Sequence, residues 1–228
     1  VLPLPEPWGE EVHAERIAVL AVGSNACPGR LLEKFGRGPE EVIPVLQGTW
    51  RGGLPVYLSS FAPYGSLPAT YWPHRGVESE LWVTLLRPGQ LLVMNRSEGM
   101  NRAGSRYKLA RLPGAFRAGG CSLEPVYAYR GGRALDLGTG IVPLSGFILR
   151  GRLPSSPPLS QTQVLTRLLD VLGHEPGADL RARLGTARRE PELLRRLEKE
   201  IHGRFSISDP ALDRLPPLPG DVETVRVS

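Results

Sequence analysis

The sequence predicts an α+β fold, a β-rich domain with peripheral helices followed by a C-terminal helical extension, and three observations carry that reading. A short, continuously apolar run over residues 17–22 ends in a polar glycine turn and leads into a helix. The next hundred residues break into short β-like runs separated by Gly and Pro clusters. Beyond a Pro/Ser stretch at residues 153–158, apolar residues recur at helical spacing. With 41% hydrophobic residues in a chain of 228, there is enough apolar material for a sizeable core.

Taken in chain order, residues 1–15 carry three Pro in their first seven positions and read as an N-terminal extension without assigned chemistry. The run at 17–22 is apolar throughout, the pattern of a strand buried on both faces. After Gly23-Ser24-Asn25, Pro28 suits a first helical turn, and Leu31, Leu32 and Phe35 share a face. Strands are expected at 42–46, 54–61, 81–86, 106–112, 125–129 and 141–149, with a brief helix after Pro88 that ends at Gly99. This domain is expected to span 16–150, and the helical extension 151–228. In the extension, Ser160 and Gln163 form a capping box ahead of Val164, Leu165, Leu168, Leu169 and Leu172, with Gly173 as the stop. A second helix begins near Pro191, with Leu193, Leu194, Leu197 and Ile201 on one face and Gly203 after it.

Composition removes several function classes. No stretch approaches the roughly 18 consecutive apolar residues of a membrane-spanning helix. Residues 1–9 lack the order of a signal peptide. Cys27 and Cys121 are too few for a disulfide framework or a four-ligand zinc site, which fits a cytoplasmic setting. His13, His74, His174 and His202 are scattered, so no metal is assigned. The 28 Lys+Arg against 23 Asp+Glu leave a net charge of +5, carried mainly by Arg, with Lys only at 34, 108 and 199. Acids are interleaved with these bases, and no uninterrupted basic arm stands out. The charge pattern therefore favours a solvated or anion-attracting surface over a nucleic-acid groove.

Two segments are candidates for chemistry. Amides between a buried strand and a helix start converge in Gly23-Ser24-Asn25, a nest suited to a carboxylate or small phosphate; the alternative is a plain turn capped by Ser and Asn. Glu98, between an apolar helix and Gly99, is positioned for a general base; the alternative is a solvated surface group. Glu78 and Glu80 point to one strand face, as paired carboxylates or as strand-entry charges. Cys27 near a helix start reads as a nucleophile or as a small capping residue. Tyr57, Tyr64, Tyr71 and Trp72 read as a stacking surface or as core. Arg106 and Tyr107 open the strand after Glu98, as sheet residues or as the closing side of a polar site.

The order of these segments resembles the gamma-glutamylcyclotransferase-like family. A first strand runs into Gly23-Ser24-Asn25, a β-rich middle follows, and Met94-Asn95-Arg96-Ser97-Glu98-Gly99 precedes Tyr107. The family shows Tyr-Gly-Ser-Asn after its first strand, then Leu-Asp-x-x-Glu-Gly, then a Tyr opening the next strand. Val22 stands here in the place of that first Tyr and Asn95 in the place of the Asp. The resemblance covers about residues 16–145. It implies a small mixed β-barrel with peripheral helices, Glu98 as acid/base, and a substrate site at Val22, Gly23, Ser24, Asn25 and Tyr107. It implies cyclisation of a small gamma-glutamyl amine or peptide to 5-oxoproline, with no metal or organic cofactor. Two other classes remain open: a non-catalytic carboxylate-binding or anion-binding module on the same fold, and an Arg-rich nucleic-acid-binding protein.

Overall fold

In the computed structural model, residues 15–38, 42–100, 105–173, 191–213 and 226–227 are described. β1 (Ile17–Ala21) is buried at every position because both of its faces are covered. Ala18 and Leu20 enter a core with Trp50, Leu81, Val83, Phe116 and Val126. Ile17 and Val19 alternate to the other face and meet Leu31 of α1 (Pro28–Phe35) and Leu91 and Met94 of α2 (Pro88–Ser97). Two helices at the expected positions are thus fastened to the first strand by its alternate residues. The expected N-terminal extension lies outside the described residues, apart from Glu15.

β2 (Val45–Tyr57) and β3 (Ala69–Leu86) form a long antiparallel hairpin. In the sequence it reads as separate short runs, because Gly48, Gly52, Gly53, Pro73 and Gly76 interrupt the alternation. Two of these glycines have packing reasons. A register shift between Arg51 and Gly53 is a bulge with Gly52 at φ +98°, which bends the strand. A Cβ on Gly48 would lie 2.1 Å from the carbonyl oxygen of Arg117 in β5 (Phe116–Ala118), so only glycine lets that strand cross. Gly48→Ala is accordingly expected to cost about 1–3 kcal/mol, read as a lower Tm in thermal denaturation. An unchanged Tm would mean that β5 moves away freely.

The main sheet runs β11 (Arg226–Val227), β6 (Cys121–Glu124), β5, β2, β3, β1, β7 (Val126–Gly131), β4 (Tyr107–Arg111), with β9 (Leu149–Gly151) added to β3. β1 pairs antiparallel with β3 and parallel with β7, so the sheet is mixed. It curls strongly into a half-barrel, and the protein is of the expected α+β class with peripheral helices. The strand expected at 141–149 is a correction: Ile141, Pro143 and Leu144 make isolated bridges, and regular pairing begins at Leu149. Pro143 has no amide to donate, and Gly146 turns at φ +89°. The strand expected from residue 42 begins at Val45.

The boundary expected at 150/151 falls within β9. The segment beyond it shares a core with the sheet: Val164, Leu165 and Leu168 of α3 (Gln161–Val171) and Leu194 and Ile201 of α4 (Pro191–Arg204) pack with Tyr57, Phe61, Leu135 and Val142. The Ser160 capping box is formed, with Ser160 N donating to Gln163 Oε1 at 2.8 Å and Gln163 N to Ser160 Oγ at 3.3 Å. Gly203 does not stop α4, which continues to Arg204. β10 (Ser206–Ser208) then pairs with β8 (Arg133–Leu135), and a short helix, α5 (Pro210–Asp213), follows. Among the described residues no helix is long and apolar enough to cross a membrane.

Candidate functional site

The first wall of the site grows out of the end of β1. Val22 is still buried, Gly23 turns the chain at φ −140° and ψ −132°, and Ser24–Ala26 forms one 3-10 turn closed by Cys27 N donating to Ser24 O at 2.9 Å. Such a turn leaves its leading amides without intrahelical carbonyls. A Cβ on Gly23 would meet only the Cβ of Ala69, at 3.7 Å, so crowding within the fold does not demand glycine there.

The second wall is the end of α2, where the sequence dictates the geometry closely. Gly99 takes φ +74°, its amide donates to Arg96 O, and the Met100 amide donates to Asn95 O, both at 3.0 Å. This left-handed closure needs glycine and makes Glu98 the residue that caps the helix. The Glu-Gly pair in the sequence is therefore a device for holding a carboxylate at a helix end.

The fold brings the two walls together across 73 residues. Asn25 Nδ2 donates to Glu98 Oε1 at 3.2 Å. Lys34, from the last turn of α1, donates from Nζ to Glu98 Oε1 at 2.9 Å and to Asn25 Oδ1 at 2.7 Å. The Lys34 and Glu98 side chains are only 11% and 17% exposed. They border a cavity of about 550 Å³ whose lining includes Val22, Gly23, Ser24, Asn25, Glu98 and Tyr107.

The Tyr107 hydroxyl donates to Ala69 O at 2.9 Å, and its ring stands edge-on to Tyr129 at 6.5 Å. Tyr129 also lines the cavity and donates to Asn95 Oδ1 at 2.6 Å. Asn95 itself is buried behind that wall, so the residue that differs from the family's Asp acts here by orienting a phenol. Burial first, and then the Glu98 carboxylate, push the Tyr107 and Tyr129 hydroxyls well above the usual tyrosine range. Burial pushes Tyr57 and Tyr71 up to about 12. Because these folded-state values are raised, the stability each neutral phenol contributes is complete below the unfolded value of about 10 and is lost as pH rises through the folded value. Phenolate absorbance near pH 11 is therefore expected to be much lower in the folded protein than in denaturant. Equal absorbance would overturn the burial of these hydroxyls.

Of the other sequence candidates, Arg106, Tyr57 and Tyr64 line the cavity, and the rest lie away from it. Glu78 accepts from Arg51 Nε and Glu80 from Arg150 Nη2, both at 2.6 Å. Neither lines the cavity, and the hydrogen bond from Arg51 holds the Glu78 carboxyl below its ordinary range, so the paired-carboxylate reading is set aside. Tyr71 is core, its hydroxyl accepting from Trp50 Nε1 at 2.8 Å, whereas Tyr57 and the exposed Tyr64 border the cavity. Cys27 is exposed at the start of α1 and does not line the cavity. Among the described residues no three His, Cys, Asp or Glu side chains group to hold a metal.

Sequence reading missed Lys34, Tyr129, Gln161 and Glu198. The Gln161 amide pairs with both backbone groups of Leu67, at 3.2 and 2.7 Å in the orientation that satisfies them, and Glu198 Oε1 accepts from Phe61 N at 2.6 Å. Both fasten the 61–67 wall from the C-terminal segment. The rarity of lysine in an arginine-rich chain was the one signal that pointed to Lys34. The others carried none.

The chain is similar in structure to several solved proteins. One is described as a gamma-glutamyl cyclotransferase, 11% identical, with 75% of this chain and 87% of that one covered and a TM-score of 0.42. Another is an uncharacterized protein from Homo sapiens, 12% identical, with 75% and 87% covered and a TM-score of 0.43. A third is YkqA from Bacillus subtilis, 14% identical at a TM-score of 0.41, where the match covers 77% of this chain and 55% of that one. No family model and no curated protein matches the sequence.

Proposed function

We propose that the protein is a gamma-glutamyl cyclotransferase-type enzyme that converts a gamma-glutamyl amine or peptide into 5-oxoproline and a free amine. The observation that supports this most is the hydrogen bond from Asn25, in the turn after β1, to the Glu98 carboxylate at the edge of a polar cavity. The two segments that resemble the family's signatures thereby border one cavity.

In this reading Glu98 takes a proton from the substrate's α-ammonium, and the freed amine attacks the γ-carbonyl to form the ring C–N bond. The carbonyl becomes a tetrahedral oxyanion, held by amides of the Gly23-Ser24-Asn25 turn; one well-placed donor is worth on the order of 3 kcal/mol. The oxyanion then collapses, the original amide C–N bond breaks, and Glu98 returns its proton to the departing nitrogen. Glu98 also carries the second proton, from the ring nitrogen to the departing amine, which leaves as an ammonium. Binding the substrate folded, against Val22 and Tyr107, supplies the ring-closure entropy. The proposed chemistry needs no metal or organic cofactor, and two cysteines without a disulfide framework fit a cytoplasmic setting.

Mass-spectrometric detection of 5-oxoproline tests this, with gamma-glutamyl dipeptides, glutathione and gamma-glutamyl amines as substrates. Product from at least one of them is expected. A second reading is a binding module without turnover, favoured by the hydrocarbon wall of Val22 where the family has a hydroxyl. Ligand-induced thermal stabilisation with no product from the whole panel would decide for it.

A further inference from the structure

We propose that Lys34 is a positioning residue that locks Glu98 and Asn25 into one unit and leaves Glu98 Oε2 as the oxygen that works on the substrate. This rests on Glu98 being the acid/base. The Lys34 ammonium has three donors and meets three acceptors: Asn25 Oδ1 at 2.7 Å, Glu98 Oε1 at 2.9 Å and Met94 Sδ at 3.3 Å. Asn25 completes the ring, its Nδ2 on the same Oε1 at 3.2 Å. Both bonds to the carboxylate fall on Oε1, and among the described residues Oε2 has no hydrogen-bond partner.

The charges decide the orientation of the neutral member. An Asn amide between an ammonium and a carboxylate must turn its oxygen to the first and its nitrogen to the second, so Lys34 also fixes which way Asn25 faces. Neither ion is free to leave for water, since α1 and α2 are held together beneath them by Leu31, Leu91 and Met94. Ion pairs on an open surface move with their side chains and contribute little. This one, at 11% and 17% exposure, stands at the cavity with a third polar group bound to both ions. It does what a proton-transfer group needs, which is to fix the carboxylate before the substrate arrives.

The test uses the full chain, 5-oxoproline kinetics and two neutral variants, Lys34→Met and Lys34→Gln, with folding checked by circular dichroism. In the folded variants kcat is expected to fall roughly 10- to 100-fold with KM within about threefold, the mark of an interaction that matters in the transition state. Lys34→Arg, which keeps the cation, is expected to recover most of that rate. Wild-type kcat from either neutral variant, beside an inactive Glu98→Gln, would overturn the role of Lys34 and leave the proposed function standing. An arginine variant as slow as the neutral ones would overturn the part assigned to charge. Failure of the wild-type protein to make 5-oxoproline from any substrate would instead remove the proposed function and this role together.

Discussion

Glu98→Gln is expected to lower 5-oxoproline formation by about 10²- to 10⁴-fold while the fold and ligand binding stay intact. Glutamine keeps the length of the side chain and a carbonyl oxygen that accepts from Asn25 and Lys34 where Glu98 Oε1 now does. It has no carboxylate to take the proton from the attacking amine. Binding and chemistry should therefore separate, with ligand-induced stabilisation retained and turnover lost. Substantial turnover in the variant would sink Glu98 as the base. It would move the search to Glu33, the other carboxylate that lines the cavity among the described residues, which is paired with Arg30.

The largest expected effect on stability lies at a buried ion pair that ties the C-terminal segment to the sheet. Arg130 of β7 meets Asp209 just before α5, and their side chains are only 10% and 9% exposed. Asp209 also accepts from the Ala211 amide at 3.0 Å, and its own amide donates to Gly132 O at 2.9 Å. Asp209→Ala would leave a guanidinium buried without its partner, a cost of about 3–5 kcal/mol. For a chain of this length that corresponds to a Tm lower by roughly 6–20 °C in thermal denaturation. Replacing both ions by apolar side chains should restore much of the loss, because no unpaired charge then remains. A single-variant loss below about 1 kcal/mol would mean that water screens the pair and that the C-terminal segment is held by its other ties, the apolar core and the β10–β8 pairing among them. Turnover should be sensitive to the same change, since Arg130 follows Tyr129 in β7, and Tyr129 lines the cavity.

Where local rules decide a structure, the sequence was readable. β1, the helix opening at Pro28, the helix closing at Glu98-Gly99 and the capping box at Ser160 are each set by neighbours within a few residues, through burial pattern, capping and the left-handed freedom of glycine. The motif order also joined the Gly23-Ser24-Asn25 turn to Glu98 and Tyr107, and all of these border one cavity.

What the chain order could not disclose are contacts between segments that no local pattern links. The long hairpin of β2 and β3 hides behind glycines that serve β5 and a bulge, so its strands look broken until their neighbours are present. Glu78 and Glu80 look like a catalytic pair until the arginines opposite them are in place. Lys34 looks like a helix-surface lysine until α1 packs against α2 and brings its ammonium to Glu98. Amphipathic periodicity tells which face of a helix is buried, but not which distant carboxylate that burial will bring within hydrogen-bonding reach. That partner is chosen by packing, and packing exists only in the folded chain.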